Sequence, residues 1–416
     1  MLGGADYADL VARYGTPLYV MEEDKIRSAM RSYRDSIDRF YEGKGLICYA
    51  SKAFSCKEIY RIAMSEEIGA DVVSAGELNT ALSVNFPMER VFFHGNAKSD
   101  EELEMAVKNK VGHIVVDNID ELRRLSKIAG ELNECATIML RVKPGVEAHT
   151  HEFVMTGGND SKFGFSLSTG EVMAAIKEAI TLPDLCLTGL HCHIGSQIHE
   201  IRPFVETARI MMDLIADVKK ETGLEISELN LGGGYGIRYT DEDDPIPYED
   251  YMRDVSEMIR SKASEHGIGI PYIYMEPGRS IVGEAGTTLY TVGSVKEIPD
   301  ARTYVAVDGG LFENPRYSLY GSRYDFILAD RTDAPVFKKV SIAGRCCETD
   351  LLGEDVPMPE VKAGDIIAVL STGAYNYSMA SNYNRNRIPP VVMVSEGRDR
   401  IIIRPQSLDD LMRYDV

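Results

Sequence analysis

Polar and ionisable residues recur in this sequence at one kind of place, the end of a short apolar run. Lys52 follows Leu46 to Tyr49, Asp71 falls within Ala70 to Val73, and His94-Gly-Asn96 follows Val91 to Phe93. His193-Ile-Gly-Ser196 follows Cys186 to His191, Gly232-Gly-Gly-Tyr-Gly236 follows Glu228 to Leu231, and Glu276-Pro-Gly-Arg279 follows Tyr272 to Met275. Each alone is more often an ordinary solvated strand end, and it is their shared position that points to chemistry. A lysine at the edge of an apolar site has its ammonium form disfavoured by desolvation, which makes the neutral amine a nucleophile toward carbonyls. Consecutive glycines, as at Gly232, Gly233 and Gly234, let backbone N–H groups approach a phosphate. Pyridoxal 5'-phosphate presents both a carbonyl and a phosphate. Its ring takes up electrons when an anion such as Glu276 keeps the pyridine nitrogen protonated.

The elements that must position these groups are legible as a rhythm. Eight apolar, β-branched runs, the six above together with His113 to Val116 and Thr137 to Val142, are each followed by an amphipathic helical stretch. Ser99-Asp-Glu-Glu102 and Asn118-Ile-Asp-Glu121 each supply a helix N-cap with a glutamate three residues on. A doubly wound sheet shares this alternation, but polar residues gathered at the C-terminal strand ends fit the active rim of a (β/α)8 barrel, with the loops after strands seven and eight at its usual phosphate site. The predicted fold class is therefore α/β, a TIM-like pyridoxal-phosphate-binding barrel over residues 27–276. From 277 to 416 the pattern changes to strands without helices: Thr288 to Val295, Thr303 to Val307, Val336 to Ile342, Ile366 to Leu370, Val391 to Val394 and Ile401 to Arg404. The last two flank a hairpin-like turn at Ser395 to Asp399. This C-terminal domain is mostly β, and the strand-like Thr16 to Val20 places residues 1–26 with it.

Composition narrows the function classes. A chain of 416 residues with 44% apolar content fills two cores. A net charge of -20 repels phosphate backbones and anionic lipid, so neither nucleic acid nor a membrane surface is an expected partner. The first residues carry no export signal, and seven irregularly spaced cysteines suit a reducing compartment, so a cytoplasmic protein is expected. The Gly232 cluster fails the dinucleotide fingerprint, because Ile237 stands where its last glycine belongs. His191-Cys-His193 and His149-Thr-His151 resemble metal pairs, but no second set at metal-site spacing accompanies them, and no metal is expected. The acidic run Tyr239 to Asp244 reads as a solvated loop.

Eight segments in one order resemble the diaminopimelate decarboxylases, pyridoxal-phosphate enzymes of fold type III. They are Tyr49-Ala-Ser-Lys-Ala53, Gly69 to Glu77, Pro144 to His151, Ser161-Lys-Phe-Gly-Phe165, His191 to Gln197, Glu276-Pro-Gly-Arg279, Cys347-Glu348 and Ser371-Thr-Gly-Ala-Tyr375. The resemblance covers essentially the whole chain. It implies decarboxylation of meso-2,6-diaminopimelate at its D centre to L-lysine and carbon dioxide, the last step of lysine biosynthesis. It makes Lys52 the Schiff-base lysine and His193 the residue stacked on the cofactor ring. Ser196, Gly234, Glu276, Pro277, Gly278, Arg279 and Tyr375 then surround the cofactor, with Glu276 on the pyridine nitrogen. Gly233 and Asp71 are either cofactor neighbours or packing residues.

The family also implies that Arg279, Arg316, Tyr320 and Tyr375 meet the substrate, and that Cys347, the proton donor, and Glu348 reach in from the second subunit of a homodimer. An unperturbed thiol, of pKa about 8.5, stays mostly protonated near neutrality yet donates readily. Two departures stand out. Cys347-Glu-Thr-Asp350 is one residue shorter than the family's Cys-Glu-Ser-Gly-Asp, and the neighbouring Cys346, as a strand residue, is expected to point the other way. The stretch Asn382 to Ile388 departs from the family's arginine-proline ending, and no role is assigned to its arginines. The alternatives are a decarboxylase of ornithine, lysine or arginine on the same fold, and a non-catalytic pyridoxal-phosphate-binding homologue. The first needs only an anion for the far end of its substrate. The second would have lost Lys52 or Cys347, and both are present.

Overall fold

Strands covered on both faces are rich in apolar residues, and the eight runs form strands in the computed structural model, which describes residues 3–146 and 161–416. They are Gly45–Ala50, Gly69–Val72, Val91–Phe93, His113–Val116, Ala136–Lys143, Leu185–Cys192, Glu228–Asn230 and Tyr272–Met275. Each pairs in parallel with the next, and Tyr272–Met275 pairs back onto Gly45–Ala50 with Ile273 opposite Gly45, so the sheet closes into a barrel. A two-residue strand, Phe165–Ser166, extends the edge of the fifth. Cys48, Phe92, Val115, Met139 and Tyr274 fill the barrel core, with the Phe92 and His113 rings stacked at 4.4 Å.

Helices follow the first seven strands, and a further helix, Glu23–Tyr41, leads into the first. Its Tyr33 ring packs on Tyr235 and Tyr248, and the Tyr41 hydroxyl donates to the Pro271 carbonyl. The two predicted N-caps differ in outcome. Ser99 and Glu102 form a complete capping box. Asn118 caps the Glu121 amide, but the Glu121 carboxylate turns inward and pairs with the buried Lys98 ammonium at 2.7 Å.

The chain divides into two compact units, one of residues Ala29–Gly236 and Pro245–Gly278, the other of Met1–Ser28, Ile237–Asp244 and Arg279–Val416. In the second unit Leu18–Glu22 lies antiparallel to Gly286–Ile298 and parallel to Val391–Ser395. Val391–Ser395 turns back into Arg398–Ile403 through Glu396 and Gly397, both at positive φ, the geometry of a tight hairpin. On the other side follow Arg302–Val307, Lys338–Ala343 and Leu351–Met358, while Ile366–Val369 joins Gly286–Ile298 to Phe326–Leu328. Tyr290, Val305, Ile342, Leu352, Met358 and Ile367 are among the residues of its main core. The residues 239–244 are not simply a solvated loop. Asp241, Glu242 and Asp244 are exposed, but Tyr239 is buried and Asp243 accepts the backbone N–H groups of Tyr239 and Thr240. Among the described residues no helix is long and apolar enough to cross a membrane.

Candidate active site

In the barrel, Asp71, His191 and Asn230, at or next to the last position of their strands, and Lys52, His94, His193 and Glu276, just beyond strand ends, gather at one rim. Lys52 sits on a single helical turn, Ser51–Ala53, directly after the first strand. The turn is fixed from below, because Glu77 accepts both the Ser51 hydroxyl and the Val73 amide at 2.8 Å. The Lys52 ammonium remains 42% exposed and lies 3.9 Å from Asp71, whose side chain is 2% exposed. Burial pushes the Asp71 carboxyl up, against the pull of His94 and Lys52. The Asp71 Oδ1 atom has no hydrogen-bond partner among the described residues.

Glu276 is the electrostatic centre of this rim. Its Oε1 accepts from His94 Nε2 at 2.8 Å and from Asn230 Nδ2 at 2.7 Å, and its Oε2 accepts from His191 Nε2 at 3.1 Å. Burial works to raise this carboxyl, but His94 and His191 outweigh it and hold it well below the usual carboxylate range. Burial pushes His191 down to about 3, so its ring is neutral and bonds the carboxylate as an N–H dipole. These hydrogen bonds account for the ligand atoms of His94, His191 and Glu276, which lie within 4.8 Å of one another, the spacing of a metal-binding trio.

Glycines lay the last three loops against one another. A Cβ on Gly233 would stand 2.1 Å from the Glu276 carbonyl, and one on Gly234, at φ +114°, would stand 2.4 Å from the Gly195 carbonyl. Glu276 N donates to the Gly232 carbonyl, Ile198 N to Gly234, and Ala50 N to Pro277. Gly278 lies less tightly against Ala50, where a Cβ would stand 2.9 Å from the Ala50 Cβ. Gly233 N donates to His193 Nδ1 at 3.3 Å, which leaves the His193 proton on Nε2. Burial, and next to it Lys52, hold His193 well below its ordinary value, so this ring is neutral and half-buried. Ser196 is half-buried on the loop after the sixth strand.

Sequence reasoning missed three residues here. Asn230 was hidden inside an apolar strand, although a lone amide between Leu229 and Leu231 is itself a signal of a buried polar role. Arg141, on the fifth strand, stacks over Phe163 at 4.3 Å, and burial lowers its guanidinium against the pull of Asp117 and Glu276. Lys98 ties down the loop that carries His94, donating to the Gly95 carbonyl at 2.7 Å. His149 and His151 lie outside the described residues.

The second unit holds a different constellation. Arg279 and Arg316 are both buried, and the Tyr375 ring lies 4.8 Å from one guanidinium and 5.6 Å from the other. Tyr375 adopts φ +61°, a left-handed conformation that costs a non-glycine residue on the order of 1–3 kcal/mol and clusters at functional sites. Arg279 donates to the Tyr239 hydroxyl. Arg316 donates to the hydroxyls of Tyr324 at 3.0 Å and Ser322 at 3.2 Å, and stands 5.5 Å from the half-buried Tyr320 ring. Among the described residues no carboxylate pairs with Arg316. Tyr239, Tyr324 and Ser322 were not legible as partners; Tyr239 in particular is masked by the acids that follow it.

Cys347 and Glu348 are exposed, and here the sequence expectation needs correcting. Residues 344–350 form no strand, so strand alternation does not orient Cys346. Asp350 instead closes the shortened segment into a turn, its carboxylate accepting from Leu311 N at 2.7 Å and Cys346 N at 2.8 Å. Cys346 is half-buried, and burial, then Asp350, push its thiol up to about 12, which leaves Cys347 as the accessible thiol. Residues of the unassigned stretch support this turn: Tyr383 donates to Glu348, and Asn384 and Asn386 reach the Cys347 and Cys346 sulfurs at 4.0 and 3.8 Å.

The barrel residues fit pyridoxal 5'-phosphate. A half-exposed amine stands at the rim, a buried carboxylate kept ionised lies behind it, glycine loops offer backbone N–H groups, and Asp71 Oδ1 is a buried acceptor without a donor.

Comparison with known proteins agrees with that fit. Residues 23–283 match the family model of the pyridoxal-dependent decarboxylase pyridoxal-binding domain. The diaminopimelate decarboxylase of Bacillus methanolicus is 46% identical over 98% of this chain and 94% of its own, and that of Bacillus subtilis (strain 168) is 45% identical over 100% and 94%. The solved structure of M. jannaschii diaminopimelate decarboxylase with L-lysine superposes with a TM-score of 0.91 at 34% identity, over 100% of this chain and 99% of that one. This chain belongs to the pyridoxal-dependent decarboxylase family and, within it, to the diaminopimelate decarboxylases.

Proposed function

We propose that this protein decarboxylates meso-2,6-diaminopimelate at its D centre with pyridoxal 5'-phosphate, giving L-lysine and carbon dioxide as the last step of lysine biosynthesis. The observation that carries the reading is full-length identity of 45–46% to diaminopimelate decarboxylases. Arg316 favours it over the ornithine, lysine or arginine alternative. Its buried guanidinium bonds only hydroxyls among the described residues, and a far-end carboxylate supplies the anion that an ammonium-ended substrate lacks.

When bound, the cofactor supplies a protonated ring that takes up the electron pair left as the carboxylate departs as carbon dioxide. Lys52 would hold it covalently, Glu276 would accept the ring N–H, and His193 would stack on the ring. Ser196, Gly233, Gly234, Pro277, Gly278, Arg279 and Tyr375 serve mainly the phosphate. Arg279, Arg316, Tyr320 and Tyr375 meet the substrate, Arg316 holding the distal carboxylate. In a homodimer with shared sites, Cys347 delivers the proton to the carbon that lost carbon dioxide, and Glu348 accepts the substrate's distal ammonium. Seven free cysteines suit a cytoplasmic setting.

The test is carbon dioxide release from the cofactor-loaded protein with meso-diaminopimelate, L-lysine and L-ornithine. Turnover of the first alone is expected, because a site with buried cations rejects a ligand lacking the paired carboxylate by up to about 10⁴-fold. Equal kcat/KM for lysine and diaminopimelate would favour the broader decarboxylase.

A further inference from the structure

A carboxylate has about four lone-pair positions, and the count at Glu276 is uneven. Oε1 accepts two donors, His94 and Asn230, whereas Oε2 accepts one, His191. The Asn230 amide cannot be flipped, because its Oδ1 is held by Gly232 N at 2.9 Å and its Nδ2 must therefore face Glu276. The two imidazoles meet edge to face with centroids 4.7 Å apart, a spacing at which two buried imidazolium ions would repel. The His191 Nδ1 atom is buried without a partner. An imidazolium there would carry an unsatisfied N–H, whereas a neutral ring with its proton on Nε2 leaves only a spare lone pair. The other charged groups near these rings are Asp71, whose Oδ1 is 3.7 Å from His94 Nε2, Asp117, which interacts electrostatically with His94, and Arg141.

We propose that His94, His191 and Asn230 form a clamp of N–H donors, His191 and Asn230 neutral, that orients Glu276 and leaves one lone pair on Oε2 as the acceptor for the cofactor's ring nitrogen. The three are positioning residues acting through Glu276. Because His191 and Asn230 donate as uncharged dipoles, they fix the carboxylate without neutralising it, and its charge faces the ring. The inference rests on the pyridoxal-phosphate reading above and adds which atom receives the ring proton and what aims it.

The experiment is ¹⁵N NMR of the loaded protein, with label on the cofactor's ring nitrogen and, separately, on the histidines. The wild type is expected to show a protonated ring nitrogen and, for His191, a neutral imidazole with the proton on Nε2. His191→Leu and His94→Leu should each move the ring nitrogen toward its unprotonated position and weaken cofactor retention on the order of tenfold. His191→Gln, whose amide restores an N–H, should keep the wild-type resonance. A ring nitrogen that stays protonated in both leucine variants, or an imidazolium at His191 of the wild type, would overturn the clamp. The wild-type histidine spectrum decides the matter even if a leucine variant fails to fold. A wild type that takes up no cofactor would instead overturn the parent reading, and the clamp with it.

Discussion

The two units bury charge in opposite ways. In the barrel the acids of the rim are held largely by donors from within the unit: Glu276 by His94, His191 and Asn230, Glu121 Oε1 by Lys98, and the half-buried Glu77 by Ser51 and Val73, while Asp71 Oδ1, Asp117 Oδ1 and Glu121 Oε2 have no donor among the described residues. In the second unit Arg316 is buried among tyrosine rings and hydroxyls with no counter-ion among the described residues. Burying an ion costs several kcal/mol unless it is paired. A charge whose partner belongs to the fold therefore contributes to stability or to tuning, whereas one whose partner is absent from the fold marks where a ligand supplies it. Substitutions should separate these two kinds of charge by whether stability or turnover suffers.

The largest expected effect is at Lys52, the half-exposed rim cation that neither rule binds tightly. Lys52→Ala should abolish covalent cofactor attachment and turnover while the protein stays folded, since a 42% exposed ammonium 3.9 Å from Asp71 contributes little to stability. Borohydride reduction of the loaded wild type followed by peptide mapping would refute the assignment if the label fell on another lysine. The same variant tests whether sites are shared. Mixed with inactive Cys347→Ala under conditions of subunit exchange, it should recover roughly a quarter of wild-type activity, because half of randomly formed dimers are mixed and each mixed dimer has one intact site.

A charge paired within the fold should behave otherwise. Lys98 and Glu121 are 2% and 0% exposed in their side chains, and burial pushes the ammonium down and the carboxyl up. Lys98→Met leaves the Glu121 carboxylate buried and alone, which costs about 3–5 kcal/mol of unfolding free energy. Chemical denaturation of the cofactor-free protein measures this. Adding Glu121→Leu should recover part of the loss, and a double variant no more stable than the single one would mean that the Lys98 bonds to the Gly95 and Val115 carbonyls matter more than the pair.

How much of this could be read from the sequence follows the same physics. Parallel strands buried on both faces leave unmistakable apolar runs, so Thr137 to Val142 anticipated Ala136–Lys143 to within a residue at each end. Leu351–Met358 left no such trace. It contains Gly353 and Pro357, and Asp355 lies at positive φ, features tolerated because the strand pairs on one side only, at the sheet edge. At the site, residues at strand ends were legible because position and chemical type coincide there. Asn230 and Tyr239 were not, since a residue's service to another side chain depends on a contact made across loops. The Cys347 turn was misjudged for a related reason: Asp350 closes it with two backbone N–H groups, and only one of them, from Cys346, is near in sequence.

The smallest expected loss is at Arg316, and it bears most directly on the contrast between the units. Arg316→Met keeps an unbranched apolar stem in place of the arginine's and removes the guanidinium. If no anion within the unit pairs with this cation, its burial is a cost the fold carries, and replacing it by an apolar group should leave the unfolding free energy nearly unchanged or slightly raised. The hydroxyls of Tyr324 and Ser322 lose a donor, and as acceptors with protons of their own they are cheap to leave behind. Turnover should suffer instead. A substrate carboxylate left without its charged partner costs about 2–4 kcal/mol in kcat/KM for diaminopimelate. Steady-state kinetics beside thermal unfolding of the same preparation gives both quantities. Unchanged kinetics with a clear loss of stability would invert the assignment, making Arg316 a structural cation held by its tyrosines and leaving the distal carboxylate to another residue.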